Sequence, residues 1–251
     1  MSVQDHFSGV AQAYAVARPG YPAALYDAIA EHVPATAHVW EPGCGSGQAT
    51  RDLAARFAHV HATDPSAMQV AQHWAHRERT ANVTLAVEPA EHTWLFDASV
   101  DLVAVAQAMH WFDVPAFFAE CDRVLRPGGV LAAWGYDDFD MPDGMAAAIE
   151  PFRARIEADW PPERRFIKRH YADFDWPFDR LEAPALTLSV DWPFDRFVGY
   201  LSSFSAVVQH RARTGEDAVA LHADALREAW GDPQAVRTVT WPLFLHLRRK
   251  A

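Results

Sequence analysis

Val39-Trp40-Glu41-Pro42-Gly43-Cys44-Gly45-Ser46-Gly47 is the stretch that decides how this chain is read. It reads as a buried strand running straight into a glycine loop. Three glycines at alternate positions let the backbone pass close to a ligand and take angles that side chains forbid. The residues after it, about Gln48 to Phe57, read as a helix whose first amides would face whatever sits over the loop. A second short strand, His59 to Thr63, ends on Asp64, seventeen residues beyond Gly47. An acidic side chain there can accept both hydroxyls of a ribose. Strand, glycine loop, helix, strand and acid together predict a nucleoside-binding unit.

The glycine spacing selects among nucleosides. A dinucleotide fingerprint, G-x-G-x-x-G, would place its third glycine where this chain has Gln48. Here the third glycine comes one residue early, at Gly47, and the loop reads acidic-x-G-x-G-x-G from Glu41.

Outward from the loop, strand and helix patterns alternate through the first half of the chain, which predicts a parallel sheet with helices on both faces. A helix is expected over 22–33. Strands are expected at 37–41, 59–63, 83–87, 100–106 and 130–134. The fourth, Val100 to Ala106, is nearly all apolar, as a central parallel strand should be. A helix over 114–125 follows it, capped by Asp113 with Pro115 in its first turn, and Pro127-Gly128-Gly129 is expected to end it. After Asp137 the pattern changes to helical stretches rich in Pro, Trp, Arg and Asp. A strand is expected at 185–190, helices at 194–203 and 215–230, and a last strand at 236–248. Trp-Pro-Phe-Asp-Arg occurs at both 176–180 and 192–196. Two copies do not make a repeat architecture.

The 251 residues suit one large α/β domain, or a core with a small subdomain. With half the residues hydrophobic there is ample material for a core. A net charge of −11 argues against a nucleic-acid face, although Arg164-Arg165 and Lys168-Arg169 make a local basic patch. Two cysteines, Cys44 and Cys121, give no disulfide framework and suit a reducing, cytoplasmic setting. No ligand spacing proposes a metal, no basic-then-apolar leader opens the sequence, and no apolar run is long enough to span a membrane. Oligomeric state is not readable.

The glycine loop resembles motif I of the class I S-adenosylmethionine-dependent methyltransferases. Thr63-Asp64-Pro65-Ser66 followed by Met68 resembles motif II, and Pro89-Ala90-Glu91 with Leu95-Phe96-Asp97 resembles the segment along the adenine edge. The run from Gln107 to Asp113, then Arg123 to Gly129, is similar to motifs IV and V. Tyr14 to Pro22 and Gly199 to Ser205 are similar to a small-molecule branch that includes trans-aconitate methyltransferases.

The resemblance implies a Rossmann-like sheet, mostly parallel with an antiparallel C-terminal strand, carrying an N-terminal lid and a helical insertion after strand five. The corresponding parts are 1–36 for lid and first helix, 37–137 for the cofactor core, and 138–251 for the cap and the strands completing the sheet. It implies S-adenosylmethionine as cofactor. Glu41, Gly43, Cys44, Gly45 and Gly47 would hold its methionine half and Asp64 its ribose. Pro65, Met68, Ala90 and Glu91 would lie against adenine, with Gln107 and Ala108 at the end of strand four and Tyr14 and Arg18 in the lid. Arg18, Tyr21, His110, Trp111 and Tyr200 are the implied contacts to a small-molecule acceptor.

Chemistry leaves two routes open. A carboxylate acceptor is already ionised at neutral pH and needs no base. A phenol or amine would need one, and His110 is the candidate, since imidazole titrates near neutrality. Rival functions are a nicotinamide-dependent oxidoreductase, a non-catalytic S-adenosylmethionine-binding protein, and an RNA or protein methyltransferase.

Overall fold

The computed structural model describes residues 18–76, 81–142 and 144–251. Tyr14, with the rest of 1–17, lies outside them. Among the described residues, seven strands run in the order β3-β2-β1-β4-β5-β8-β6, and an eighth, β7, pairs with β8. The parallel part is β1 (His38–Pro42), β2 (His59–Thr63), β3 (Val83–Ala86), β4 (Val100–Ala106) and β5 (Leu125–Gly135). The antiparallel part adds β6 (Asp179–Leu181), β7 (Leu186–Trp192) and β8 (Arg237–Arg249). β4 is buried at Val100 and from Leu102 to Val105, because helices cover both faces of the sheet.

On one face α1 (Ala23–Ala30) buries Leu25, Tyr26 and Ile29, with Tyr26 edge-on to Trp134 at 6.1 Å. Beside it runs α2 (Thr50–Ala54); α3 (Ala67–His76) follows β2. The opposite face is covered by α4 (Val114–Val124), whose Phe117 and Cys121 pack with Trp40 and Val103. A third apolar cluster lies over the antiparallel strands. It joins α5 (Ala146–Ile156), α7 (Phe194–Ser202), α8 (Ser205–Thr214) and α9 (Ala218–Trp230) around Phe139, Tyr200 and Trp241. The short α6 (Arg164–Lys168) packs its Ile167 into the second cluster instead.

Three expectations need correction. The helix after the glycine loop is only five residues long and begins at Thr50, so its dipole contributes little over the loop. Pro127-Gly128-Gly129 does not end the preceding helix. That helix stops at Val124, Leu125 is already extended (φ −70°, ψ 135°), and Pro127 to Gly129 lie in the irregular first stretch of β5. There the register with β4 shifts between Val100 and Leu102, and Gly128 takes φ +79°. Finally, β6 has no alternating pattern in three residues and was not expected. Asp113 does cap α4, accepting from the Ala116 amide at 3.4 Å.

The strand order reverses between β1 and β4, so the loops leaving these two strands diverge and open a crevice at the carboxyl end of the sheet. Both loops carry expected site residues. No helix among the described residues is long and apolar enough to cross a membrane.

Candidate functional site

The crevice is a cleft of about 340 Å³. Its floor is the glycine loop, where Glu41, Gly43, Cys44 and Gly45 all reach the wall. Two tethers fix the loop to β2. The Cys44 amide donates to the Thr63 carbonyl at 2.9 Å, and the Gly45 amide donates to Asp64 Oδ2 at 3.0 Å. Asp64 Oδ1 accepts from the Ser66 amide at 2.9 Å. Burial pushes the Asp64 carboxyl up, and these two amides partly offset that. Each oxygen keeps lone-pair capacity for a ligand hydroxyl.

The three loop glycines all have positive φ but differ in their surroundings. A β-carbon on Gly43 would meet Ala108 Cβ at 2.7 Å, and one on Gly47 would collide with the His73 ring. At Gly45 nothing lies within 4 Å, and the missing side chain would point into open cleft. Gly47 does not line the cleft; it makes room for His73.

Glu41 is 1% exposed, and among the described residues no well-formed hydrogen bond reaches either carboxylate oxygen. Burial pushes its pKa up to about 8, the Thr50 hydroxyl offsetting this only in part. An acid so placed calls for a cationic partner. S-adenosylmethionine carries both a sulfonium and an ammonium group, so the cleft fits it on this ground.

Toward β2 and β3, Pro65 and Ala90 line the cleft with Gln69. Met68 does not: it is 47% exposed, because one residue's turn of α3 directs Gln69 inward in its place. Glu91 lines the cleft and accepts from the Asp113 amide at 2.8 Å. The loop carrying Ala90 and Glu91 is anchored by buried Thr93, which donates to Glu88 at 2.5 Å and whose amide donates to Glu120 at 2.7 Å. Arg123 grips the same loop at the Thr93 and Leu95 carbonyls.

A second cavity, of about 610 Å³, adjoins the first. The two share Arg18, Gln107, Trp111 and Tyr136. Gln107, at the end of β4, takes φ +53° and joins Tyr136 beyond β5 by two hydrogen bonds. Gly135 leaves space for the side-chain oxygen Oε1 of Gln107; a β-carbon there would strike it. Ala108, next in the chain, lines the first cleft alone.

Of the expected acceptor contacts, Arg18, His110, Trp111 and Tyr200 line the second cavity, whereas Tyr21 lines the first, edge-on to Trp134 at 5.7 Å. The Arg18 guanidinium carbon lies 5.7 Å from the Tyr200 ring centre and 6.0 Å from that of Phe204. Tyr200 is fully packed and its hydroxyl accepts from Trp241 Nε1 at 3.0 Å. His110 sits in a single 3-10 turn, Met109–Trp111, with Nδ1 3.0 Å from the Tyr171 hydroxyl. Burial, reinforced by Arg18, pushes its pKa down to about 3, so its ring is neutral and a weak base.

Sequence reasoning missed Tyr136, Trp160, Phe204 and Tyr171. Phe204 lay inside the quoted Gly199 to Ser205 stretch. Tyr171 carried no signal at all, in a polar segment far from His110.

Comparison with known proteins finds methyltransferases. The profile of the methyltransferase domain matches residues 40–133, from β1 into β5. A protein of Dictyostelium discoideum, provisionally named a methyltransferase, is 30% identical over 98% of this chain and 95% of its own length. A solved structure of a provisionally named type II methyltransferase from Anaeromyxobacter dehalogenans superimposes with a TM-score of 0.83. It is 45% identical, covering 92% of this chain and 97% of that one. A malonyl-[acyl-carrier protein] O-methyltransferase of Dechloromonas aromatica is 35% identical over 41% of this chain and 39% of its own.

Proposed function

The chain belongs to the class I S-adenosylmethionine-dependent methyltransferases, and from that premise we propose that it methylates a carboxylate oxygen of a small organic acid. Family membership removes the nicotinamide-dependent alternative. When bound, S-adenosylmethionine would supply an activated methyl group, which an acceptor lone pair would take while the sulfur keeps the bonding pair.

The observation that carries the acceptor class is Arg18 on the wall common to both cavities. Its guanidinium lies beside the Tyr200 and Phe204 rings, and a guanidinium is the cation that meets a carboxylate by planar two-point contact. The remaining cavity wall sets Phe139 and Trp160 among charged side chains such as Asp138, Arg153, Arg164 and Lys168, so it suits a polar acid. The name of the Dechloromonas relative, an O-methyltransferase of an acidic acyl group, points the same way. So does the resemblance of Tyr14 to Pro22 to the trans-aconitate branch.

In this reading Glu41 faces the cationic end of the cofactor and Asp64 its ribose. Gly43 and Gly45 give room along the methionine half, and Pro65, Ala90 and Glu91 border the adenine. The core of 37–137 serves the cofactor, and the segment from 138 onward encloses the acceptor with Arg18. A carboxylate reacts without losing a proton, so a base is not required. The neutral, weakly basic His110 counts against the phenol or amine route.

The test is a screen of small carboxylic acids, phenols and amines for S-adenosylhomocysteine formation. Acids are expected to turn over. Arg18→Ala should raise the apparent KM for the acid far more than it weakens cofactor binding, and Arg18→Lys should restore it only partly. Turnover limited to neutral or cationic acceptors, or wild-type kinetics in Arg18→Ala, would sink the proposal.

A further inference from the structure

We infer that Tyr171 is a positioning residue for this reaction: its phenol fixes His110 in the tautomer with the proton on Nε2, so that His110 meets the acceptor as a hydrogen-bond donor and not as a base. This rests on the carboxylate reading and deepens it.

The inference starts from proton counting. Tyr171 is fully buried, and its hydroxyl lies 3.0 Å from His110 Nδ1, the two rings stacked at 30°. Among the described residues His110 Nδ1 is the one hydrogen-bond partner of that hydroxyl. If Nδ1 carried the hydrogen, the buried phenol O–H would be left without an acceptor, which is costly. Burial holds the phenol well above its ordinary pKa, so its one proton stays and is left for Nδ1. A neutral imidazole that accepts at Nδ1 carries its hydrogen on Nε2. Nε2 is then the ring nitrogen available to the cavity that His110 lines.

The placement of Tyr171 is held at a cost in backbone conformation. His170 and Tyr171 take φ +50° and +56°, consecutive left-handed residues without a glycine. Such residues are strained and persist where the surroundings impose them. Here the His170 ring stacks on Phe244 at 5.0 Å, and its carbonyl accepts from His246 Nε2 at 2.7 Å. Tyr171 packs edge-on against the same Phe244 at 5.0 Å, and its amide donates to the Phe166 carbonyl at 2.8 Å. Helix α6 and strand β8 thus hold the phenol over a histidine that neither contains.

The charge around His110 favours the same state. Arg18 faces it and opposes a second proton on the ring. The other cavity charges include the pairs Asp137 with Arg164, Asp138 with Arg153 and Glu157 with Lys168, together with Glu150 of α5. With the ring a donor beside Arg18, the site presents two donors to an anion.

The test uses the full chain labelled with 15N-histidine. Thirteen histidines give overlapping signals, so the His110 resonance is identified as the one lost in His110→Gln. The expected pattern is a neutral ring protonated at Nε2, unchanged between about pH 8 and about pH 5. Tyr171→Phe should give a mixed-tautomer pattern, lower kcat for the acid by about tenfold and leave KM for S-adenosylmethionine unchanged. A glutamine amide can mimic the Nε2 donor but cannot act as a base. His110→Gln should therefore keep most of the activity that His110→Ala loses. These two variants and the wild-type spectrum decide the matter even if Tyr171→Phe does not fold. A wild-type ring protonated at Nδ1, or His110→Gln as inactive as His110→Ala, overturns the proposal. An Nε2-protonated ring in an enzyme that turns over only phenols or amines overturns the carboxylate reading and leaves the Tyr171 pairing standing.

Discussion

Gln107 and Tyr136 clasp one another across the ends of two neighbouring strands. The Tyr136 amide donates to Gln107 Oε1 and Gln107 Nε2 donates to the Tyr136 carbonyl, each at 2.8 Å. Only one orientation of the amide satisfies both bonds. The clasp stands in the partition between the two cavities, so it is placed to couple cofactor and acceptor.

Gln107→Ala should remove both bonds and leave two backbone groups of Tyr136 without those partners. We expect a loss of about 1–3 kcal/mol in denaturant unfolding and a rise in KM for both cofactor and acceptor. A variant with unchanged stability and a defect on one ligand only would show that the clasp does not organise the partition.

Asp64→Ala should weaken S-adenosylmethionine binding at least about tenfold, since hydrogen bonds to a charged acceptor are worth roughly 1.5–3 kcal/mol each. The same substitution frees the Gly45 and Ser66 amides. Calorimetry, with circular dichroism as the control for folding, gives the answer. Unchanged affinity would defeat the ribose assignment.

The loop glycines separate ligand approach from packing. Gly45→Val points a side chain into open cleft and should abolish cofactor binding while the fold survives, with about 1–2 kcal/mol of strain from the positive φ. Gly47→Ala drives a methyl group into His73 and should lower the melting midpoint more than Gly45→Val does. Normal binding by Gly45→Val would mean that the cofactor does not approach the loop here.

Glu41 predicts a pH signature. Its pKa rises from the ordinary 4.5 to about 8, so the folded chain holds this proton more tightly than the unfolded chain does. The stability it contributes is fully present below about pH 4.5 and is lost as pH rises through about 8. Subtracting Glu41→Gln from wild type in unfolding experiments across that range should give a difference that falls with pH. A cationic cofactor stabilises the ionised form, so binding near neutral pH should release protons, read by calorimetry in buffers of different ionisation enthalpy. A flat difference and no proton release would remove the charge argument.

The parallel core was legible because its strands are nearly continuous apolar runs and its turns are marked by glycine and proline. The cleft was legible for the same local reason: Glu41, Gly45 and Asp64 sit at strand ends, where sequence spacing alone determines position. Met68 and Gly47 show the limit. Their motif positions are right, but the rotation of α3 exposes one and the His73 ring occupies the other. Tyr171 could not have been read, since its contact with His110 depends on Phe244, contributed by a strand more than seventy residues further on. The left-handed backbone at Gln107, His170 and Tyr171 is likewise a product of packing and has no signature in composition.

Strand β8 pairs with β7 through Arg237 to Leu243, and with β5 and β6 through Phe244 to Arg249. It changes partners beside Pro242, where a residue without an amide hydrogen costs little. This strand follows in synthesis every element it ties together. A nascent chain can complete β1 to β5 and still leave Tyr136, Tyr171 and Tyr200 without Phe244 and Trp241 beneath them. On the proposed reading, the segment that would hold the methyl donor leaves the ribosome before the strand that closes the acceptor side, so the order of synthesis runs from donor to acceptor.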